Sequence, residues 1–334
     1  MVKKVILLGV MSLLVVGVFS ANLTEVFDTS KASSAIYKKA QMDLEITNLD
    51  YEKAKIEAVN KKAELAAELA YYNGLSNYNT SMKDYYSDIL DRVLNVYTEE
   101  INLDIANLQL KNAQIDYNNN QTLYNRGLIS NDDLKNSELN VKDAQTNLET
   151  VQLNLETAMD NLKKVYNEDY RQIEIKIPEY EGLFVTDEEY LNKNYNLKLA
   201  SLNVEMSQYD LNNLPYNASQ YNRRIVEVTH QKNLLTLEDL QYTLVDAHKT
   251  TKNAIEALYK TLQNLKERMD LAQGTYNDTK GRFDKGLVSE IELNTANINY
   301  LTAQKNYYDS LKNYIKAYIN YLIDTGRSPE EVGL

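Results

Sequence analysis

An all-α fold is what this sequence predicts: duplicated long antiparallel helical hairpins with coiled-coil packing and at most one or two short strands. Three observations point there. Ten Gly and three Pro in 334 residues leave too few breakers for many short elements. Apolar residues recur every seven positions over long stretches. One helix–turn–helix unit also occurs twice, 159 residues apart.

The first segment, residues 1–20, reads as an export signal. Lys3 and Lys4 precede the apolar run Val5–Val18, and Ser20 offers a small residue for cleavage. At 14 residues that run is short for a membrane-spanning helix, which needs about 20. The chain has no Cys, so it carries neither a disulfide framework nor a lipid-anchor thiol. A net charge of −12 argues against binding a nucleic-acid backbone.

Residues 21–170 form the first helical repeat. Helices are predicted over about 31–72, 87–125 and 131–167. Val96, Leu103, Leu110, Tyr117 and Tyr124 form one heptad column before the turn, and Leu94, Ile101, Leu108 and Ile115 form a second. Two positions apart is about 200° round a helix, so this helix needs a neighbour on each side. After the turn, Leu134, Val141, Leu148, Leu155 and Leu162 make a single large column backed by Ala144, Val151, Ala158 and Val165. Residues 171–187 read as a linker with one short strand at Gln172–Ile177, where isoleucines alternate until Pro178.

Residues 188–323 form the second repeat, with helices over about 188–213, 226–284 and 290–323, and residues 324–334 form a tail. Ile255, Leu262, Met269, Tyr276 and Phe283 reproduce the column before the first turn. The last helix has Leu293, Tyr300, Tyr307, Tyr314 and Tyr321 plus a further column, Leu301, Tyr308, Ile315 and Leu322, so it is expected to be the more buried copy.

The turns themselves are "RGLISNDDL" (126–134) and "KGLVSEIEL" (285–293). Gly127 and Gly286 suit the left-handed end of a helix, with Leu128 folding back towards Leu123. Ser130 with Asp133, and Ser289 with Glu292, have capping-box spacing for the next helix. These residues are fully explained by stopping one helix and starting another.

No enzyme signature is present. His230 and His248 are 18 residues apart on one predicted helix, outside ligand spacing, and read as solvated or interhelical polar residues. Without a Cys nucleophile, a phosphate loop or a G-x-S-x-G turn, no catalytic residue, metal site or cofactor is expected.

The duplicated G-L-x-S-x-x-D/E-L turn, the Ala-bearing helix after it and the export signal resemble the TolC family of outer-membrane efflux ducts. The segment Asn194–Asn217, with its Leu-Pro, resembles the family's repeat-opening helix. The resemblance implies a homotrimer whose helices build a hollow periplasmic cylinder in a Gram-negative-type envelope. It implies that Gly127, Leu128, Ser130, Gly286, Leu287 and Ser289 lie at tips that dock a periplasmic adaptor (membrane fusion) protein serving an inner-membrane pump. It places Glu292 at a carboxylate constriction of the pore, with Asp133 as its counterpart in the first copy; capping remains the other role for both. A second constriction position is Thr295 here. The acidic net charge leads one to expect passage of cations or neutral amphiphiles.

One departure stands out. The family inserts two membrane strands per repeat, which need more than about 20 residues per pair. The corresponding stretches, about 70–86 and 214–224, are too short or lack alternation. The rival expectation is therefore a non-conducting periplasmic or surface coiled-coil scaffold or adhesin reusing the helical body.

Overall fold

The computed structural model describes residues 21–332; the expected export signal lies outside the described residues. In chain order the elements are β1 (Ala21–Asn22), α1 (Leu23–Lys31), α2 (Ala35–Glu57), α3 (Lys61–Asn125), α4 (Asn131–Lys163), β2 (Ile173–Glu174), α5 (Asp187–Lys193), α6 (Tyr195–Asn212), α7 (Gln220–Phe283) and α8 (Glu290–Asp324). Short 3₁₀ turns at Tyr170–Gln172 and Pro329–Val332 complete the described chain.

Two helices run the length of the molecule. α3 has 65 residues and α7 has 64, each about 95 Å long at 1.5 Å per residue. This corrects the sequence-based boundaries: residues 31–72 do not form one helix, because the chain turns at Ala58–Asn60 and α3 begins at Lys61. Asn60 caps that new start by accepting the Ala63 amide at 2.9 Å. The stretch 70–86 lies wholly inside α3, while 214–224 is a short loop followed by the first turn of α7. The strand expected over Gln172–Ile177 shortens to Ile173–Glu174, paired in parallel with Ala21–Asn22. Its partner can offer no more, because Asn22 already caps α1.

Packing divides the molecule into two four-helix layers joined at a waist. In one half the order across the layer is α4–α3–α8–α7; in the other it is α2–α3–α6–α7. α3 and α7 are common to both, with α4 and α8 giving way to α2 and α6. The α3–α8 pair is antiparallel, held by Asn294 on Asn112 at 2.8 Å, a Tyr97–Tyr308 stack and Lys316–Asp91 at 2.6 Å. In the other half Lys62 of α3 meets Asp210 of α6 at 2.7 Å. Gly74 lets α2 approach α3 closely, since a Cβ there would collide with the Thr47 side chain.

The apolar core concentrates at the waist. Phe27 of α1, Tyr85, Tyr86, Ile89 and Val93 of α3, and Tyr314, Ile315, Ile319 and Leu322 of α8 are all buried there. Residues 164–186 cross one broad face of the layer as a belt: Tyr180 packs edge-on against Tyr259, and the Tyr314 hydroxyl donates to the Pro178 carbonyl at 2.6 Å. α8 is the most buried long helix, as its second apolar column predicts.

Both histidines are interhelical. His230 meets Ser207 of α6 at 3.0 Å. His248 is fully buried, with Nδ1 2.6 Å from Asp187 and Nε2 2.8 Å from the Tyr321 hydroxyl. The Tyr321 oxygen also accepts the Val185 amide at 3.0 Å. A single neutral tautomer satisfies every group: Nδ1–H donates to Asp187 and Nε2 accepts from Tyr321. Burial holds the His248 pKa below its ordinary value, against the raising effect of the Asp187 hydrogen bond.

Candidate functional site: the two helical tips

The turns predicted as tips are built alike. At the first, Gly127 has φ 72°, its amide donates to Tyr124 O at 2.8 Å, and the Leu128 amide donates to Leu123 O at 3.0 Å. At the second, Gly286 has φ 71°, its amide donates to Phe283 O at 2.8 Å, and the Leu287 amide donates to Arg282 O at 3.0 Å. Each pair of bonds is a Schellman closure, and the positive φ is the conformation that favours glycine. The leucine side chains do not cover the closure: Leu128 is 66% exposed and Leu287 65%.

Both capping boxes form. Ser130 Oγ accepts the Asp133 amide at 3.1 Å, while the Asp133 carboxylate accepts the Ser130 amide at 3.1 Å and its hydroxyl at 2.7 Å. Ser289 and Glu292 repeat this at 3.2, 2.8 and 3.0 Å. The Ser130 hydroxyl and amide hold the Asp133 carboxyl below its ordinary pKa, and the Ser289 amide and hydroxyl do the same for Glu292.

The α3–α8 register brings the two tips to the same end of the molecule, but not to the same level. Beyond the Asn112–Asn294 contact, α3 continues to Asn125, whereas α8 starts at Glu290. The first tip therefore projects on the order of 15 Å farther.

Beside the second tip lies a feature that motif spacing did not single out. A groove of about 510 Å³ runs between α7 and α8, lined by Ala272, Val288 and Ile291, with the exposed Leu271 at its edge. Arg268, Arg282 and Glu292 stand at its polar rim, with Thr275, Thr279 and Thr295. Arg268, Thr275 and Arg282 form a heptad column one residue ahead of Met269, Tyr276 and Phe283, a signal visible in the sequence once the seam is known.

The two free edges of the molecule carry a different signal. On α2, Met42, Leu49 and Ile56 are exposed at heptad spacing, two positions round from the α3-facing Ala40 and Thr47. On α7, Tyr221, Val228, Leu235 and Tyr242 are exposed at the same spacing. Each column points away from the protein's own layer.

Solved structures share this architecture in fold and little in sequence. The CmeC outer membrane channel of Campylobacter jejuni superposes with a TM-score of 0.58 at 12% identity, covering 91% of this chain and 85% of that one. The outer membrane protein VceC of Vibrio cholerae gives 0.56 at 10% identity, covering 92% and 96%. The chain has a TolC-like fold. CusC, a transmembrane channel, shares it with a TM-score of 0.55 at 11% identity over 92% of each chain. No family model and no curated protein matches the sequence.

Within this TolC-like fold the described residues keep the helical body without barrel strands. Among the described residues the only strands are the two-residue pair β1–β2, and no helix is long and apolar enough to cross a membrane. The six tip residues named from the sequence lie together at one end, and Asp133 and Glu292 lie one turn behind them.

Proposed function

We propose that the protein is a passive duct component: copies associate side by side into a hollow helical cylinder, and the two tips of each copy dock a periplasmic adaptor of an inner-membrane pump. The observation that carries this is the pair of unpartnered heptad columns on opposite edges. α2 runs away from the waist and the first half of α7 runs back towards it, so neighbouring copies would pair them antiparallel. Met42, Leu49 and Ile56 then fall level with Tyr242, Leu235 and Val228. A contact between two different edges is head-to-tail, and such contacts close into rings when the rotation permits; three copies are the number the resemblance implies.

A second feature supports a wet interior. On α8, Leu311 and Tyr318 are buried beneath the belt, but the opposite broad face exposes Asn299, Asn306, Asn313 and Asn320 in one heptad column. A column of exposed neutral amides suits a water-filled wall. With the belt outside, that column lines the lumen. Asp133 and Glu292 would narrow the entrance as well as cap their helices.

The test is the mass of the mature chain at micromolar concentration, by light scattering and negative-stain imaging. A trimeric hollow ring is expected, and Leu235→Glu with Val228→Glu should reduce it to monomer. A parent protein that stays monomeric would rule the duct out. The lack of barrel strands among the described residues favours the second assignment, a non-conducting periplasmic or surface scaffold, which predicts a rod rather than a ring.

A further inference from the structure

The end of the molecule opposite the tips is made of two connections, Ala58–Asn60 between α2 and α3 and residues 213–219 between α6 and α7. The Lys62–Asp210 ion pair at 2.7 Å holds them side by side. The three most exposed large apolar side chains among the described residues are all here: Tyr216 at 100%, Val59 at 89% and Ile56 at 85%. Edge pairing covers Ile56 against Val228 but reaches neither Val59 nor Tyr216. Tyr221, seven residues before Val228, also lies beyond it and is exposed.

The turns that carry these side chains are held by their own bonds. The Arg223 guanidinium donates to the Pro215 carbonyl at 3.1 Å, Tyr216 O at 2.8 Å and Ala218 O at 3.3 Å, folding the loop onto the first turn of α7. Asn60 caps α3 and Ser219 caps α7, each accepting an amide. Backbone groups that a surface would otherwise have to desolvate are thus met within the chain. Charge is ordered along the same axis. Residues 55–63 and 211–226 hold five basic side chains, Lys55, Lys61, Lys62, Arg223 and Arg224, against one acid, Glu57, in a chain of net charge −12. Lys61 pairs with Glu64 at 3.1 Å and Arg224 with Glu227 at 3.2 Å, and both carboxylates lie three residues farther from the end. These pairs, like Lys62–Asp210, are exposed on both sides and worth little against water, so an anion beyond the end can take the cations over.

We propose that this end docks peripherally on an anionic phospholipid surface, with Val59, Tyr216 and Tyr221 entering the headgroup–acyl boundary and Lys61, Lys62 and Arg224 meeting the phosphates. Single aliphatic and tyrosine side chains on convex turns, flanked by lysine and arginine, suit a fluid interface, which asks for no shape complementarity. The helices stay in water, and the contact needs no spanning segment. It goes beyond the duct assignment and does not depend on it, because one copy carries the whole patch. A few side chains give a weak, reversible hold, and copies assembled side by side would present several patches in one plane and multiply it.

The chain has no Trp, so Tyr216→Trp and Leu128→Trp each place a single indole, one at either end of the molecule. With vesicles of phosphatidylcholine and phosphatidylglycerol carrying brominated acyl chains, Tyr216→Trp emission should shift to the blue and be quenched, and Leu128→Trp emission should stay unchanged. In flotation, the parent should bind the mixed vesicles about tenfold more tightly than phosphatidylcholine alone, and high salt should erase the difference. V59D/Y216D should weaken binding about tenfold, L128D/L287D at the tips should leave it as it is, and K61Q/K62Q/R224Q should bring the two vesicle types within about twofold. Circular dichroism confirms that each variant is folded. A parent that does not float, equal binding to both vesicle types, unchanged binding of V59D/Y216D, or quenching at Leu128→Trp instead of Tyr216→Trp would overturn the proposal. Sedimentation without lipid separates the two ideas. A monomer that floats with the mixed vesicles overturns the duct and leaves the docking end standing, whereas a ring that does not float overturns the docking end alone.

Discussion

The two helix–turn–helix copies share a backbone and occupy opposite environments. In the first, the helix before the turn, α3, is central and the helix after it, α4, is an edge; in the second, α7 is the edge and α8 is central. The sequence difference that matters is one stripe on each central helix. Leu301, Tyr308, Ile315 and Leu322 of α8 correspond to Lys142, Glu149, Glu156 and Lys163 of α4. Leu94, Ile101, Leu108 and Ile115 of α3 correspond to Asn253, Lys260, Glu267 and Gly274 of α7. The column that closes each hairpin was duplicated and kept. The second column decides which helix goes inside, because only a helix with two apolar faces can be covered on both sides without burying charge.

Exchanging residues between copies is the way to break this comparison. The largest effect is expected for Ile315→Glu, which installs the α4 residue at a fully buried site: loss of about 4 kcal/mol or more in urea denaturation. The reverse change, Glu156→Ile on exposed α4, should stay within about 0.5 kcal/mol. Equal losses from the two would mean that α4 is as buried as α8.

Next comes the close approach in the half away from the tips. Gly74 corresponds to Asn233 of α7, whose side chain bonds Asn203 O at 3.2 Å across the α6 contact. Gly74→Asn should cost about 1–3 kcal/mol, because the new side chain meets Thr47, whereas Asn233→Gly should cost about 1 kcal/mol. The ranking would invert if α2 could retreat from α3.

A third exchange concerns pH. His248 corresponds to Ile89, and both are fully buried. With its folded pKa lowered by burial, His248 stays neutral while the unfolded chain, with a His pKa of about 6.5, takes up a proton. The folded state binds fewer protons, so stability should fall as pH drops below about 6.5 towards the folded pKa. His248→Ile should flatten that part of the profile, and should lower stability at pH 8 by about 1–3 kcal/mol by leaving the Tyr321 hydroxyl without its acceptor. An unchanged slope below pH 6.5 would assign the dependence to carboxylates.

The smallest effect is also the most symmetrical. Ser130→Ala and Ser289→Ala each remove the same N-cap bonds and should each cost about 1 kcal/mol, read as faster amide exchange in the first turn of α4 or α8. A marked inequality would show that one tip is supported by contacts beyond its own cap.

Much of the architecture was legible in residues alone. Gly127 and Ser130, like Gly286 and Ser289, stop and restart helices through bonds made within six residues, so their geometry needs no tertiary context. The double stripe of α3 and the extra column of α8 likewise announced two neighbours each. The misplaced start of α3 has an equally local cause. "EAVNKKAE" contains no Gly or Pro, and only the Asn60 cap marks the break, a signal weaker than the apolar spacing on either side of it.

The sequence by itself determined the hairpins, their caps, their duplication and the faces they must bury, because each depends on residues close together along one helix. Tertiary structure decided what depends on register between helices distant in the chain. It set the stagger of the tips through Asn112 and Asn294, and the crossing of the belt over one face. It also brought Arg268 and Arg282 of α7 against Val288 and Ile291 of α8 in one groove. Heptad spacing states that a helix has a partner on a given side. It does not state how far the partner slides, because an antiparallel seam shifted by seven residues presents the same columns.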